Sequence, residues 1–247
     1  WRDELLAFQP YNEQEATEKR LMLQYMDTFP DLLTRNNEMA HFTASCWIVN
    51  PARTHALMAF HNLYQSWAWL GGHADGEADL LRVALREANE ESGITGARPL
   101  MRDIFSLEIL GVDGHVKRGR YVATHLHLNC TYLLEADDRL PIRAKADENS
   151  AVRWIPLDAV EAEVREPEMR VVYRKLMEKA RLAGARSPPA QNRPFPQKTV
   201  DFPLWMRYDR DDEPAGMPAS FINYQKRRIL QPPVFQIGSY LYCIEDL

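Results

Sequence analysis

The sequence predicts an α/β fold, a three-layer α/β/α sandwich, and three observations predict it. A strand-rich middle runs from His41 to Leu134. One sharply bounded helix interrupts it near residue 80, and a second amphipathic helix follows it. An extra N-terminal helix and a proline- and aromatic-rich C-terminal extension flank this middle. The expected division is therefore 1–38, 39–184 and 185–247.

Each element has a local reason. Ala16, Arg20, Leu21, Leu23 and Met26 lie at helical spacing between Glu13 and Phe29, and Pro30 with Asn36-Asn37 ends that run. This N-terminal helix is expected to pack on the fold or to form a dimer element, with substrate capping as a third role. The run from Phe42 to Val49 is β-rich and stops at Asn50-Pro51, then Ala56 to Phe60 and Ser66 to Leu70 follow as short strands. The stretch from Asp79 to Gly93 reads as a helix, because Asp79 is a good N-cap and Gly93 suits a left-handed C-cap. Its Leu81, Ala84, Leu85 and Ala88 share an apolar face, while Glu87, Glu90 and Glu91 share another.

Two longer strands are expected at Phe105 to Val112 and Tyr121 to Leu134. In the second, Val122, Leu126, Leu128, Cys130, Tyr132 and Leu134 alternate with Ala123, His125, His127, Asn129 and Thr131. One face is then core, and the other is a cleft wall or a polar surface carrying His125 and His127. A zinc site at that pair needs a third ligand, and no partner is evident. Met169, Val172, Tyr173, Leu176, Met177 and Ala180 form the stripe of the last helix, which ends near Gly184. Beyond it lie nine of the sixteen prolines, beginning with an expected linker at Ser187-Pro188-Pro189. Dispersed aromatics from Phe202 to Tyr242 suit a segment that packs on the core domain or on a second subunit.

Composition bounds the partners. A net charge of −5 argues against a general nucleic-acid-binding surface but allows a local basic pocket. The three cysteines, Cys46, Cys130 and Cys243, have no zinc or redox spacing, and two lie in apolar strand-like runs as expected buried thiols. With no long apolar run and no signal-peptide pattern, the expected location is cytoplasmic, with no membrane partner.

Chemistry concentrates between Gly71 and Ile94. Like charges at i,i+3 and i,i+4 on a helix repel, and a divalent cation reverses that penalty. Hard cations such as Mg²⁺ take carboxylate and phosphate oxygens. Arg86-Glu87-Ala88-Asn89-Glu90-Glu91-Ser92-Gly93-Ile94 behind Gly71-Gly72 resembles the second half of the box that defines the Nudix hydrolase superfamily. The first half departs from it: the upstream glutamate falls at Ala78, with Glu77 one place early. That glutamate helps to orient the arginine in the family.

The resemblance implies a Nudix-type α/β/α sandwich with a mixed sheet. It implies a metal site of Glu87, Glu90, Glu91 and the Gly72 carbonyl, holding Mg²⁺ or Mn²⁺. Arg86 would organise the glutamates, and Glu90 or Glu148 would take the proton of the attacking water. Glu148 enters because Ala146 to Leu157 resembles the family's acidic loop and its Trp-bearing final strand. The activity implied is pyrophosphate hydrolysis on a nucleoside diphosphate linked to another moiety, such as ADP-ribose, or on a nucleoside triphosphate.

Substrate-binding candidates are His73 at the turn, His125 and His127 on the strand, and Lys117, Arg118 and Arg120 in a glycine-flanked basic loop. Arginine forks suit phosphate oxygens there, while a solvated hairpin tip is the plainer reading. The His125-Leu126-His127 element and the run from Gly71 to Leu85 also resemble a bacterial Nudix subgroup. Two rivals remain: a nucleotide-sensing module without turnover, which Ala78 favours and the three glutamates oppose, and a diphosphate isomerase using Cys46. A homodimer is an allowed assembly.

Overall fold

A computed structural model describes residues 1–117 and 119–184. Among the described residues the helices are α1 Arg2–Ala7, α2 Glu13–Thr28, α3 Leu80–Ser92, α4 Val160–Glu163 and α5 Pro167–Gly184. The strands are β1 Ala40–Val49, β2 His55–His61, β3 Ser66–Ala68, β4 Leu70–His73, β5 Arg98–Pro99, β6 Ser106–Val112, β7 His115–Lys117, β8 Arg120–Val122, β9 His125–Glu135 and β10 Asn149–Pro156. The expected packing role of 185–247, Arg118 and Cys243 lie outside the described residues.

Eight of these strands form one mixed sheet, in the order β10-β2-β1-β9-β5, with β3 on β2, β4 on β1 and β6 on β9. The parallel pair β1–β9 is its axis: ten residues register in step, from Ala40 opposite Leu126 to Val49 opposite Glu135. The other pairings are antiparallel. Both central strands are buried nearly throughout, because helices cover both faces.

On one face α3 packs Leu80, Leu81, Val83, Ala84 and Ala88 against Phe42, Ala44, Cys46, Leu128, Cys130 and Tyr132. Each large apolar side chain buried there contributes about 1.5–3 kcal/mol relative to exposure. On the other face α4 and α5 pack Val160, Tyr173, Leu176 and Ala180 against Trp47, Met58 and Leu133. The α/β/α layering expected from sequence is the one observed. Leu5 and Phe8 around α1 and Met22 of α2 join the α3-side cluster, so the N-terminal helices pack on the same core.

Two expectations are corrected. The long strand from Tyr121 is two strands, β8 and β9, broken at Ala123-Thr124; β8 pairs only with β7, as a separate hairpin. The face of β9 carrying Asn129 and Thr131 is no plain polar surface. Both residues are buried, and they bond Glu108, Thr43 and Ser45 beneath the α5 layer.

Candidate active site

The helix ends fix where α3 presents its acids. Asp79 Oδ1 accepts from the Arg82 N–H at 3.0 Å, and Gly93 closes the helix at φ 65°, donating to the Asn89 carbonyl. Strand β4 enters through two glycines: a side chain on Gly71 would meet backbone, and one on Gly72 would displace the Glu87 carboxylate. A Cβ on Gly71 would lie 2.7 Å from Ser45 Cα, and one on Gly72 would lie 2.7 Å from Glu87 Oε1. The Glu87 carboxylate is thereby pressed against the backbone of the turn.

Glu87 and Glu91 are buried, at 8% and 5% exposure, while the Glu90 side chain is 46% exposed. Glu91 accepts from the Gly71 N–H at 2.8 Å and from Asn149 Nδ2 at 3.1 Å. Even so, burial pushes its carboxyl up to about 7, with Glu87 and Glu148 adding repulsion. Burial also raises Glu87, opposed by Arg86 and reinforced by Glu90. Arg86 sits 2.8 Å from Glu87 Oε1 and 3.9 Å from Glu90 Oε1, and it donates to the His73 carbonyl at 3.3 Å. It ties α3 to the end of β4. Glu77 pairs with Arg82 at 3.3 Å instead of serving Arg86, so the displaced box glutamate supports a neighbouring turn of the helix.

The loop before β10 completes the cluster. Its backbone docks on the end of α3 through Arg143 N–H to the Ser92 carbonyl and Lys145 N–H to the Glu91 carbonyl. Lys145 Nζ then lies 2.9 Å from Glu148 and 3.9 Å from Glu90. Glu87, Glu90 and Glu148 thus share two cations, Arg86 and Lys145, while Glu91 beside them pairs with neither. The deficit of positive charge, with carboxyls held up by burial at a backbone turn, fits a hard divalent cation.

The remaining predicted residues lie elsewhere. Because Gly72 faces Glu87, His73 points to the opposite face of the sheet, 5.1 Å from the His41 ring and 5.0 Å from the His127 ring. His125 stands 5.1 Å from His127. Lys117 and Arg120 are exposed register partners on the β7–β8 hairpin. Burial depresses both His73 and His127, and the charge of Lys117 adds to it. Sequence reasoning did not assign Lys145, Asn149 or His41. Asn149 follows Glu148 directly, a signal that was available; His41 needed the sheet register.

A Nudix-type sandwich with an acid-bearing helix behind a glycine turn defines a pyrophosphohydrolase. A family model of the NUDIX domain matches residues 39–177, and the chain belongs to that family. Among solved structures it is similar to a C. elegans Ap4A hydrolase in a binary complex, at 21% identity, covering 58% of this chain and 98% of that one, with a TM-score of 0.43. It is also similar to RenU, a Nudix hydrolase from M. smegmatis (17% identity, 62% and 90% covered, TM-score 0.42). A third similar structure is the E. coli dihydroneopterin triphosphate pyrophosphohydrolase (16% identity, 56% and 94% covered, TM-score 0.42). No curated protein matches the chain. Nudix enzymes generally use divalent cations and act on small nucleotide derivatives. Among the described residues no helix is long and apolar enough to cross a membrane.

Proposed function

We propose that the chain hydrolyses a pyrophosphate bond in a nucleoside diphosphate linked to another moiety, or in a nucleoside triphosphate, with Mg²⁺ or Mn²⁺. The observation that carries this reading is the charge deficit around Glu91: a buried carboxyl raised to about 7, among four acids and two cations. Glu87, Glu90, Glu91 and the Gly72 carbonyl would hold the ion. When bound, it would supply Lewis-acid polarisation of the diphosphate and a more acidic water.

The chain's own groups do the rest. Glu87 and Glu91 are buried and fixed by Arg86, Gly71 and Asn149, which suits them to hold position. Glu90 and Glu148 flank Lys145 on the solvent side, and one of them takes the proton as water attacks phosphorus. Lys117, Arg118 and Arg120 are the candidates for holding phosphate or sugar, whereas the rings of His73, His125 and His127 gather on the sheet face opposite Glu87. The buried Cys46 thiol, raised well above its ordinary value by burial, is poorly suited to an isomerase role.

The test is a panel of nucleoside diphosphate derivatives and triphosphates with Mg²⁺ or Mn²⁺, run beside Glu91→Gln, Glu90→Gln and Glu148→Gln. Turnover of at least one panel member, lost in Glu91→Gln, is expected. Equal turnover by Glu91→Gln overturns the metal site. Tight nucleotide binding with no hydrolysis by the wild type would favour the sensing module instead.

A further inference from the structure

On the face of β4 turned away from the glutamates, three strands bring histidines together. The parallel register sets His41 opposite His127, and the β1–β4 register sets His73 opposite Thr43, two residues along β1. The ligand nitrogens of His41, His73 and His127 all lie within 4.8 Å of one another. His125, two residues before His127 on the same face of β9, adds a fourth ring, its Nε2 3.2 Å from His127 Nε2.

Hydrogen bonding selects the tautomers of His41 and His125, and it makes His127 Nε2 the donor to His125 Nε2, a proton that an ion would replace. His41 Nδ1 lies 3.0 Å from the Asn37 carbonyl, so it carries the proton and leaves Nε2 as a bare lone pair. That Nε2 is buried and has no hydrogen-bond partner, on a residue only 4% exposed. His125 Nδ1 is held in the same way by the Ala123 carbonyl at 2.8 Å. A backbone carbonyl on the far nitrogen is the support that metal-ligating histidines use.

The donor set points to one chemical class, against the charges of Arg35 and Lys117, which both bear on the rings. Asp75, which acts on both His41 and His73, is engaged by Arg35 in a two-pronged pair at 2.7 and 2.9 Å. Among the described residues no carboxylate belongs to the cluster, so hard Mg²⁺ has little to bind there. Neutral imidazoles suit zinc and its neighbours among the transition metals. Zn–N distances of about 2.0–2.1 Å in a tetrahedron set the nitrogens about 3.3 Å apart, close to the His125–His127 separation.

We propose that His41, His73 and His127 form a second metal site for a borderline transition-metal cation of the Zn²⁺ class, distinct from the carboxylate site. Three histidines leave a fourth position for His125, for water or for an anionic oxygen. With an open position the centre has the make-up of a working zinc site, not a closed structural one. His73 links the two sites: its carbonyl receives Arg86 while its ring joins the cluster.

The test uses the full chain, stripped with a chelator and titrated with Co²⁺, then with Zn²⁺. The expected result is a visible spectrum of low-symmetry, nitrogen-coordinated Co²⁺ that saturates at one ion per chain and is displaced by Zn²⁺. Glu91→Gln keeps that spectrum. His127→Asn and His73→Gln weaken Co²⁺ binding by at least about 10²-fold. His73→Gln changes a half-buried position, so it reports even where His127→Asn fails to fold; far-UV circular dichroism checks both. No such spectrum in the wild type, or a spectrum lost in Glu91→Gln and kept in the histidine variants, overturns the proposal. Neither result touches the hydrolase reading, which rests on the glutamate variants.

Discussion

Two clusters of charged side chains lie on this fold, and they are built on opposite principles. Beneath α5, Glu15 of α2 and Glu108 of β6 meet Lys175 and Lys179, all four at most 4% exposed. Glu15 Oε1 is 2.6 Å from Lys179 and 3.3 Å from Lys175, and Glu108 is 3.0 Å from Lys175. Tyr11 N–H donates to the remaining Glu15 oxygen and Asn129 and Thr131 to the remaining Glu108 oxygen, while the Ser106 hydroxyl lies between the two lysine-held oxygens. There the Glu15 carboxyl is held below its ordinary value: burial would raise it, and the two lysines more than offset that. On α3 the acids outnumber the cations, and Glu87 and Glu91 are held above theirs. The ion pairs of the first cluster are closed in on themselves, although burial also lifts the neighbouring Glu18 of α2 to about 8 against the pull of Lys175. The α3 cluster differs in opening to solvent, where the Glu90 side chain is 46% exposed, and that is the cluster we read as able to receive something.

That contrast is breakable. Lys179→Met or Glu15→Gln strands buried charge in the balanced cluster, and each should cost about 3–5 kcal/mol in unfolding free energy. Chemical denaturation measures it; a change under about 1 kcal/mol would remove the distinction. Next in size is Glu91→Gln, which should lower kcat by about 10²-fold or more, close to 2.7 kcal/mol. Without metal, the same variant should be at least as stable as the wild type, since it deletes a repelled acid. Loss of stability there would make Glu91 another structural carboxylate.

Acid should separate the clusters as well. The folded carboxyl of Glu15 is lower than the unfolded one, so its contribution is present above about pH 4.5. It is lost as pH falls through the lower folded value. Stability of the wild type minus that of Glu15→Gln should therefore shrink below about pH 4.5. A difference that stays level into the acid limb would contradict the pairing with Lys175 and Lys179.

How far each cluster could be read from sequence follows from what holds it. The acid helix was legible because its signals are local: an N-cap at Asp79, a C-cap at Gly93, and acids three and four residues apart. The observed span Leu80–Ser92 lies between the two expected caps. The balanced cluster was not legible, since Glu15 and Lys179 stand 164 residues apart and meet only through packing. The histidines fall between these cases. His125 and His127 were visible as a pair, whereas His41 and His73, which the proposed second site needs, are brought beside them only by the β1–β9 and β1–β4 registers. The break at Ala123-Thr124 left only a faint mark, the polar Thr124 at a core-face position, with no glycine or proline beside it.

The smallest effect separates the clusters most sharply, because it should have the opposite sign. Lys145 lies between Glu90 and Glu148 with its side chain 31% exposed. Exposed pairs of this kind are worth about 0.2–1 kcal/mol. Lys145→Met deletes one of two cations from a site already short of them, so Mg²⁺ should meet less competition. Its apparent affinity should rise about two- to fivefold, equivalent to about 0.5–1 kcal/mol, while the metal-free chain loses no more than that in stability. Calorimetric titration of Mg²⁺ reads the first, and a melting curve reads the second. Removing a lysine then strengthens a function at one cluster and damages the fold at the other. If Lys145→Met instead weakens Mg²⁺ binding, Lys145 is positioning Glu90 and Glu148 for the ion, and the α3 cluster is less short of charge than its raised carboxyls indicate.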